Sequence, residues 1–149
     1  TLWLLATLCF VLLRTAPVLS PSGGMLGKLR LPFSLGLGGR LGHGQQWMPW
    51  IALPDEVALI DFLLHHPECS GVFNACAPGR VRNAEFTQAL AHALHRPAIL
   101  PAPAWALQLA LGEMSVLLLG GQRLQPRRAL EAGFVFRYPE LGAALAQLV

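Results

Sequence analysis

The chain has 149 residues, the length of one domain, with 54% hydrophobic and only 13% charged residues. Soluble domains carry roughly 25% charged residues, so this apolar composition excludes a disordered chain, and 12 prolines without a triplet repeat exclude collagen. The net charge of +3 is uneven: residues 1–49 hold Arg14, Lys28, Arg30 and Arg40 and no acid, whereas residues 50–149 hold seven basic and eight acidic groups. The basic third reads as a cationic loop region or as a surface for an anionic ligand such as a nucleotide phosphate. Nucleic acid is not expected, because no run of five basic residues occurs. So little charge implies that lipid or further protein covers part of the surface. The opening at Thr1 rather than Met points to further protein.

In chain order, Thr1–Leu13 is an apolar run of 13 residues stopped by Arg14. It falls short of the ~20 residues a spanning helix needs, so a membrane role is not expected, and a buried strand ending near Leu13 is. A Gly/Pro loop follows over Thr15–Gly24, then a short helix from Met25 to about Arg30. The glycine-dense stretch Gly36–Gly44 and the aromatic Gln45–Leu53 together predict an irregular hairpin. Pro54 opens a helix with Asp55 and Glu56 in its first turn and an apolar face at Val57, Ile60, Leu63 and Leu64. Gly71–Ala77 reads as a strand, and Asn83 as the N-cap of a helix to about His95, with Phe86, Leu90 and Leu94 on one stripe. Helix, strand, helix over residues 54–95 is the alternation of an α/β layer. From Pro97–Pro103, a proline-rich connector, the composition shifts. An apolar helix over Trp105–Leu119, a short helix after Pro126, a strand at Phe134–Phe136 and a final helix over Pro139–Val149 make a small, mainly helical lobe.

Several chemistries are absent from the sequence. Gly36 and Gly38 do not open a G-x-G-x-x-G turn, since Leu41 stands in the third slot and no helix follows. The single tyrosine, Tyr138, and the single lysine, Lys28, cannot supply the four-residue spacing of a reductase acid–base pair. His65, His66 and Cys69 lack a second ligand pair for zinc, and no serine lies in G-x-S-x-G. No catalytic constellation and no metal site is therefore expected. His43, set between two glycines, is a turn residue or a ligand neighbour. The three cysteines, Cys9, Cys69 and Cys76, form no C-x-x-C pattern and read as thiols of a reducing, cytoplasmic compartment.

A series of phrases in order is more specific: Leu13-Arg-Thr-Ala-Pro-Val-Leu19, Gly23-Gly-Met-Leu26, Gln46-Trp-Met-Pro-Trp-Ile51, Asn74-Ala-Cys-Ala-Pro78, Asn83-Ala-Glu-Phe86, Leu111-Gly-Glu-Met114 and Ala132-Gly-Phe134. The chain resembles the C-terminal half of the epimerase family proteins, an atypical branch of the extended short-chain dehydrogenase/reductases. From about Pro101 it resembles the C-terminal domain of unknown function that marks this family. The resemblance implies an α/β fold: the C-terminal part of a Rossmann-like domain over residues 1–100, and the family's helical domain over residues 101–149. It implies NADP or NAD as cofactor of a full-length relative, with Val18 in the slot that passes the nicotinamide end. The family's Gly-Val becomes Ala16-Pro17 here, and its Trp-Ile-His-x-Asp-Asp becomes Trp50-Ile51-Ala52-Leu53-Pro54-Asp55, so the histidine and first aspartate are replaced.

The leading expectation is the substrate-side half of an NAD(P)-binding epimerase or oxidoreductase-like protein acting on an unknown small molecule. That half is not competent alone and binds no cofactor without an N-terminal Rossmann half. Residues 15–53 would line the cleft, with Gly38, Gly39, His43, Trp47 and Asp55 as substrate-side candidates, and Trp47 and Trp50 as water shields or core anchors. The competing expectation is a non-catalytic interaction module with an exposed hydrophobic face.

Overall fold

The computed structural model describes residues 10–36, 38–97 and 121–149. The sequence readings for residues 1–9, for the connector beyond Pro97 and for the helix Trp105–Leu119 lie outside these residues. Six strands are described: β1 (Val11–Thr15), β2 (Val18–Ser20), β3 (Trp47–Met48), β4 (Ile51–Ala52), β5 (Gly71–Ala75) and β6 (Val81–Arg82). The helices are α1 (Gly24–Ser34), α2 (Leu53–His65), α3 (Asn83–Ala93), α4 (Arg127–Glu131) and α5 (Leu141–Leu148).

β1 pairs in parallel with β5, Val11 opposite Gly71 through Thr15 opposite Ala75, and β2 pairs in parallel with β4. Parallel pairing requires a crossover. α1 supplies it between β2 and β4, and α2 lies between β4 and β5. This is an α/β, Rossmann-like arrangement, followed by short helices. The remaining pair, β3 with β6, is antiparallel, with Trp47 opposite Arg82 and Met48 opposite Val81. The hairpin expected across Gly36–Leu53 does not form. Pro49, which has no N–H to donate, separates β3 from β4, and each finds a partner outside the stretch.

The helices differ from expectation in instructive places. α1 starts at Gly24 and runs past Pro32 to Ser34, ending where Gly36 takes φ +74°. On α2 the buried residues are Asp55, Glu56, Leu59 and Leu63. Of the face expected from periodicity, Val57 (58%), Ile60 (42%) and Leu64 (76%) are exposed. The helix is apolar on both sides, and the side bearing Leu59 is the one packed against β2 and β4. Asn83 is not the N-cap of α3 but its first residue. Arg82 is the cap, its backbone N–H donating to Glu85 Oε2 (2.6 Å). Phe134–Phe136 joins none of the strand pairs. Phe134 and Phe136 are buried edge-to-face against each other at 4.8 Å, while Val135 points out.

Two hydrophobic cores result. One gathers Leu26, Leu29 and Phe33 of α1, Phe86 and Leu90 of α3 and Leu141, Leu145 and Leu148 of α5 around Trp50. The other places Phe73 and Ala75 of β5 and Leu59 and Leu63 of α2 against Ala129, Phe134 and Phe136. Both cores therefore draw on residues from either side of position 101. Each fully buried Leu or Phe contributes about 1.5–3 kcal/mol.

Candidate functional site

The segment 15–18 carries the chain from one parallel pair to the other. Ala16 N–H donates to the Ala75 carbonyl (2.9 Å), and Ile51 N–H donates to the Pro17 carbonyl (3.2 Å). In open α/β sheets ligands lie beyond the carboxyl ends of the strands; Thr15 is the last residue of β1, and Val18, three residues on, is the first of β2. Val18 is half-buried, its side chain against the second core. Just beyond it the chain doubles back: Leu19 and Ser20 bridge to Gly24 and Gly23. Gly24 has φ +64°, and a Cβ there would stand 3.0 Å from the Val18 carbonyl oxygen, so only glycine brings the start of α1 this close. That start has no side-chain cap and no acid in its first turn.

A carboxyl group reaches this strand end. Thr15 Oγ1 donates to Glu56 Oε1 (2.9 Å), while Glu56 Oε2 is buried with no partner among the described residues. Burial pushes the Glu56 carboxyl above its usual value, and the Thr15 hydrogen bond opposes that rise. The sequence alone offers Glu56 as a helix-dipole acid or as a residue at the edge of a site. Its pairing with a threonine 41 positions earlier leaves no local signal.

The other sequence candidates separate. Gly38 and Gly39 are buried, and a Cβ on Gly38 would fall 2.4 Å from ring carbons of Phe33, so this glycine is a seat for an aromatic ring. His43 is exposed on a turn, and its Nδ1 accepts the Gln45 N–H (3.0 Å). Trp47 lies on the β3–β6 pair beside arginines. Asp55 is buried, and its two oxygens accept from the backbone N–H of Arg137 (2.7 Å) and of Tyr138 (2.9 Å). Trp50 is a core residue whose Nε1–H donates to the Gly79 carbonyl (3.0 Å). Among the described residues no hydrogen bond or ion pair joins any two of Val18, Gly38, Gly39, His43, Trp47 and Asp55. No group of three or more His, Cys, Asp or Glu there is placed to hold a metal. The Nδ1 atoms of His65 and His66 instead bond to carbonyls of their own helix.

A last feature is an apolar groove of about 460 Å³ lined by Phe10, Val11, Leu13, Ile60, Leu63, Leu64 and Pro67. It opens along β1 and the exposed side of α2. The outer edge of β5 is blunted by Arg128, whose guanidinium donates to the Val72 (2.9 Å) and Ser70 (2.6 Å) carbonyls and lies over the Phe73 ring. β1 has no such cover among the described residues. No helix among them is long and apolar enough to cross a membrane.

Residues 102–148 match the family model described as a domain of unknown function, DUF1731. The chain is 42% identical over 140 residues to the epimerase family protein SDR39U1 of Mus musculus, covering 93% of this chain and 48% of that protein. It is 48% identical over 136 residues to the epimerase family protein Mb2239 of Mycobacterium bovis, covering 91% and 45%. Among solved structures, human epimerase family protein SDR39U1 (isoform 2), crystallised with NADPH, superposes with a TM-score of 0.86 at 41% identity over 93% of this chain and 47% of that one. The nucleoside-diphosphate sugar epimerase of Corynebacterium glutamicum superposes with a TM-score of 0.70 at 32% identity, covering 93% and 25%. The chain thus spans about half the length, or less, of the relatives it matches.

Proposed function

Because the chain belongs to the epimerase family, we propose that it is the substrate-side half of an NAD(P)-binding epimerase or oxidoreductase-like protein, working together with a dinucleotide-binding half. The observation that carries this reading is the apolar side of β1 and α2 that none of the described residues covers. Strands of parallel α/β sheets are covered on both faces, yet here Phe10, Ile60 and Leu64 are exposed around one groove. A second sheet half laid along β1 would cover them. The fit to a cofactor is partial. Val18 and the uncapped start of α1 lie where a strand-end ligand would pass. No G-x-G-x-x-G turn exists in the sequence to hold a pyrophosphate. In this reading Val18 contacts the nicotinamide end of NADP or NAD, which supplies hydride transfer when bound. Thr15 and Glu56 form the polar wall beside it, and the substrate is a small molecule. We place the protein in the cytoplasm, consistent with the buried thiols Cys69 and Cys76.

The test mixes the 149-residue chain with the N-terminal half of the Mycobacterium bovis relative. Calorimetry should detect no NADPH binding to either the chain alone or its Val18→Asp variant. The mixture should form a complex that binds NADPH, and Val18→Asp should weaken that binding far more than it lowers the melting temperature. Micromolar binding by the chain alone, or an N-terminal half that never associates with it, would refute the proposal.

A further inference from the structure

We propose that the outward face of α1 seats the protein on an anionic membrane surface, with Leu31 and Leu35 entering the headgroup layer between Lys28 and Arg30. The helix has two unlike faces. Met25, Leu26, Leu29 and Phe33 are buried in the first core, and at 3.6 residues per turn this fixes the opposite face outward. Leu31 stands at the middle of that outward face. Leu35, whose N–H donates to the Leu31 carbonyl (3.2 Å), stands one turn further on. Both leucines are exposed, at 67% and 66%. One turn before Leu31 is Gly27, where an added Cβ would meet nothing within 4 Å. Lys28 and Arg30 are exposed on the two margins of this face.

A single exposed leucine needs no explanation; here the surrounding charge indicates what the pair meets. Other exposed apolar positions on helices have acids beside them. On α2, Asp61 stands exposed next to Ile60, and on α4 Leu130 is followed by Glu131, which pairs with Arg127. Around α1 the charge is of one sign. Residues 1–49 hold Arg14, Lys28, Arg30 and Arg40, and the first acid of the chain is Asp55. Among the described residues no ion pair engages Arg30 or Arg40.

Leucines that protrude between cations, with no acid near them in sequence, match anionic headgroups lying over acyl chains. The leucines reach down, while the long basic side chains stay at headgroup level. A fluid bilayer also accepts a protruding pair without a shaped pocket to receive it. The 11 residues of α1 lie on such a surface and do not cross it, since a crossing needs ~20. Shallow insertion and charge attraction are each weak, so the attachment is reversible and salt-sensitive. α1 packs on the first core, whereas the groove of β1 and α2 belongs to the second. This surface is therefore separate from the one assigned to the dinucleotide-binding half.

The test is co-sedimentation of the 149-residue chain with vesicles of phosphatidylcholine mixed with phosphatidylserine, compared with phosphatidylcholine alone. The mixed vesicles should bind it about tenfold more tightly and release it at high salt. Lys28→Gln and Arg30→Gln should each weaken binding about fivefold. Arg30→Lys should bind like the parent, because a headgroup layer responds to charge and not to the guanidinium fork. Leu31→Ser with Leu35→Ser should weaken binding about tenfold or more at an unchanged melting temperature, since both side chains are exposed. Gly27→Leu, which fills open space on the same face, should tighten it. In Leu35→Trp the added emission should move to shorter wavelength on mixed vesicles only. Leu64→Ser, in the groove, should leave vesicle binding as it is. Absence of binding, equal binding to both vesicle types, dependence on Leu64 in place of the α1 leucines, or binding to a single-stranded oligonucleotide without binding to vesicles would each overturn the proposal. The measurement uses neither cofactor nor second half, so it stands or falls apart from the dinucleotide reading.

Discussion

Asp55 joins two parts of the chain that are far apart in sequence. It is 1% exposed, and its carboxylate holds the backbone N–H groups of Arg137 and Tyr138. These bonds fasten the start of α2 to the segment that brings Phe134 and Phe136 into the second core. A hydrogen bond to a charged group contributes about 1.5–3 kcal/mol. Asp55→Ala removes both acceptors and leaves two amides unpaired, so it should cost about 3–5 kcal/mol. Asp55→Asn retains one carbonyl acceptor but turns an NH₂ toward the second amide, and should cost about 1.5–3 kcal/mol. Domains have about 5–15 kcal/mol in total, so the alanine variant should be marginally folded. Urea unfolding followed by tryptophan fluorescence gives the two losses. Hydrogen exchange should show the amides of Arg137 and Tyr138 opening before those of α3. An alanine variant within about 1 kcal/mol of the parent, with both amides still protected, would refute the tether and leave Asp55 available to a ligand.

Gly38→Ala should cost about 1–3 kcal/mol by forcing a methyl against the buried Phe33 ring. Adding Phe33→Leu should then cost less than the sum of the single losses, and strict additivity in melting experiments would count against the packing account. Glu56 has its folded pKa raised above the usual 4.5 by burial, so its ionised form destabilises the fold. That penalty is absent below the unfolded pKa and grows as pH rises toward the folded one. Glu56→Gln, which keeps the acceptor for Thr15, should therefore be more stable than the parent at neutral pH and equal to it below about pH 4; a pH-independent difference would refute this. Burial pushes the Cys76 thiol up to about 12, so alkylation at pH 8 should require unfolding and follow the urea transition, whereas rapid native labelling would contradict it.

What the sequence revealed follows from how far each signal reaches along the chain. The α/β alternation, the limits of α2 and the buried stripe of Phe86 and Leu90 come from periodicity and from prolines, which act within a turn or two. The β3–β6 pair was invisible, because two-residue strands carry no period and their partners are more than 30 residues apart. Asn83 shows how tertiary structure overrides a local rule. Its side chain, expected to cap α3, instead accepts the Leu41 N–H (2.7 Å) and donates to the Met48 sulfur (3.3 Å), pinning the glycine stretch to the mini-sheet. The gathering of Arg80, Arg82 and Arg123 around the Trp47 ring is half legible. Arg80 and Arg82 alternate as strand residues do, but nothing in the sequence delivers Arg123 to Trp47.

The face wrongly assigned on α2 is itself informative. A helix apolar all round belongs in an interior, and α2 carries Leu59 and Leu63 on one side and Val57, Ile60 and Leu64 on the other. Among the described residues only the first side is covered. Periodicity selects Val57, Ile60, Leu63 and Leu64, of which Leu63 is buried and the other three form an exposed apolar stripe. Phe10, just before β1, lines the same groove and is exposed as well. If this stripe serves the dinucleotide-binding half, Leu64→Lys should weaken association with that half while leaving the chain's own unfolding free energy within about 0.5 kcal/mol of the parent. A surface leucine with no partner would change neither. A fold that collapses on Leu64→Lys would mean that α2 uses the stripe within the chain itself, against the exposure described here.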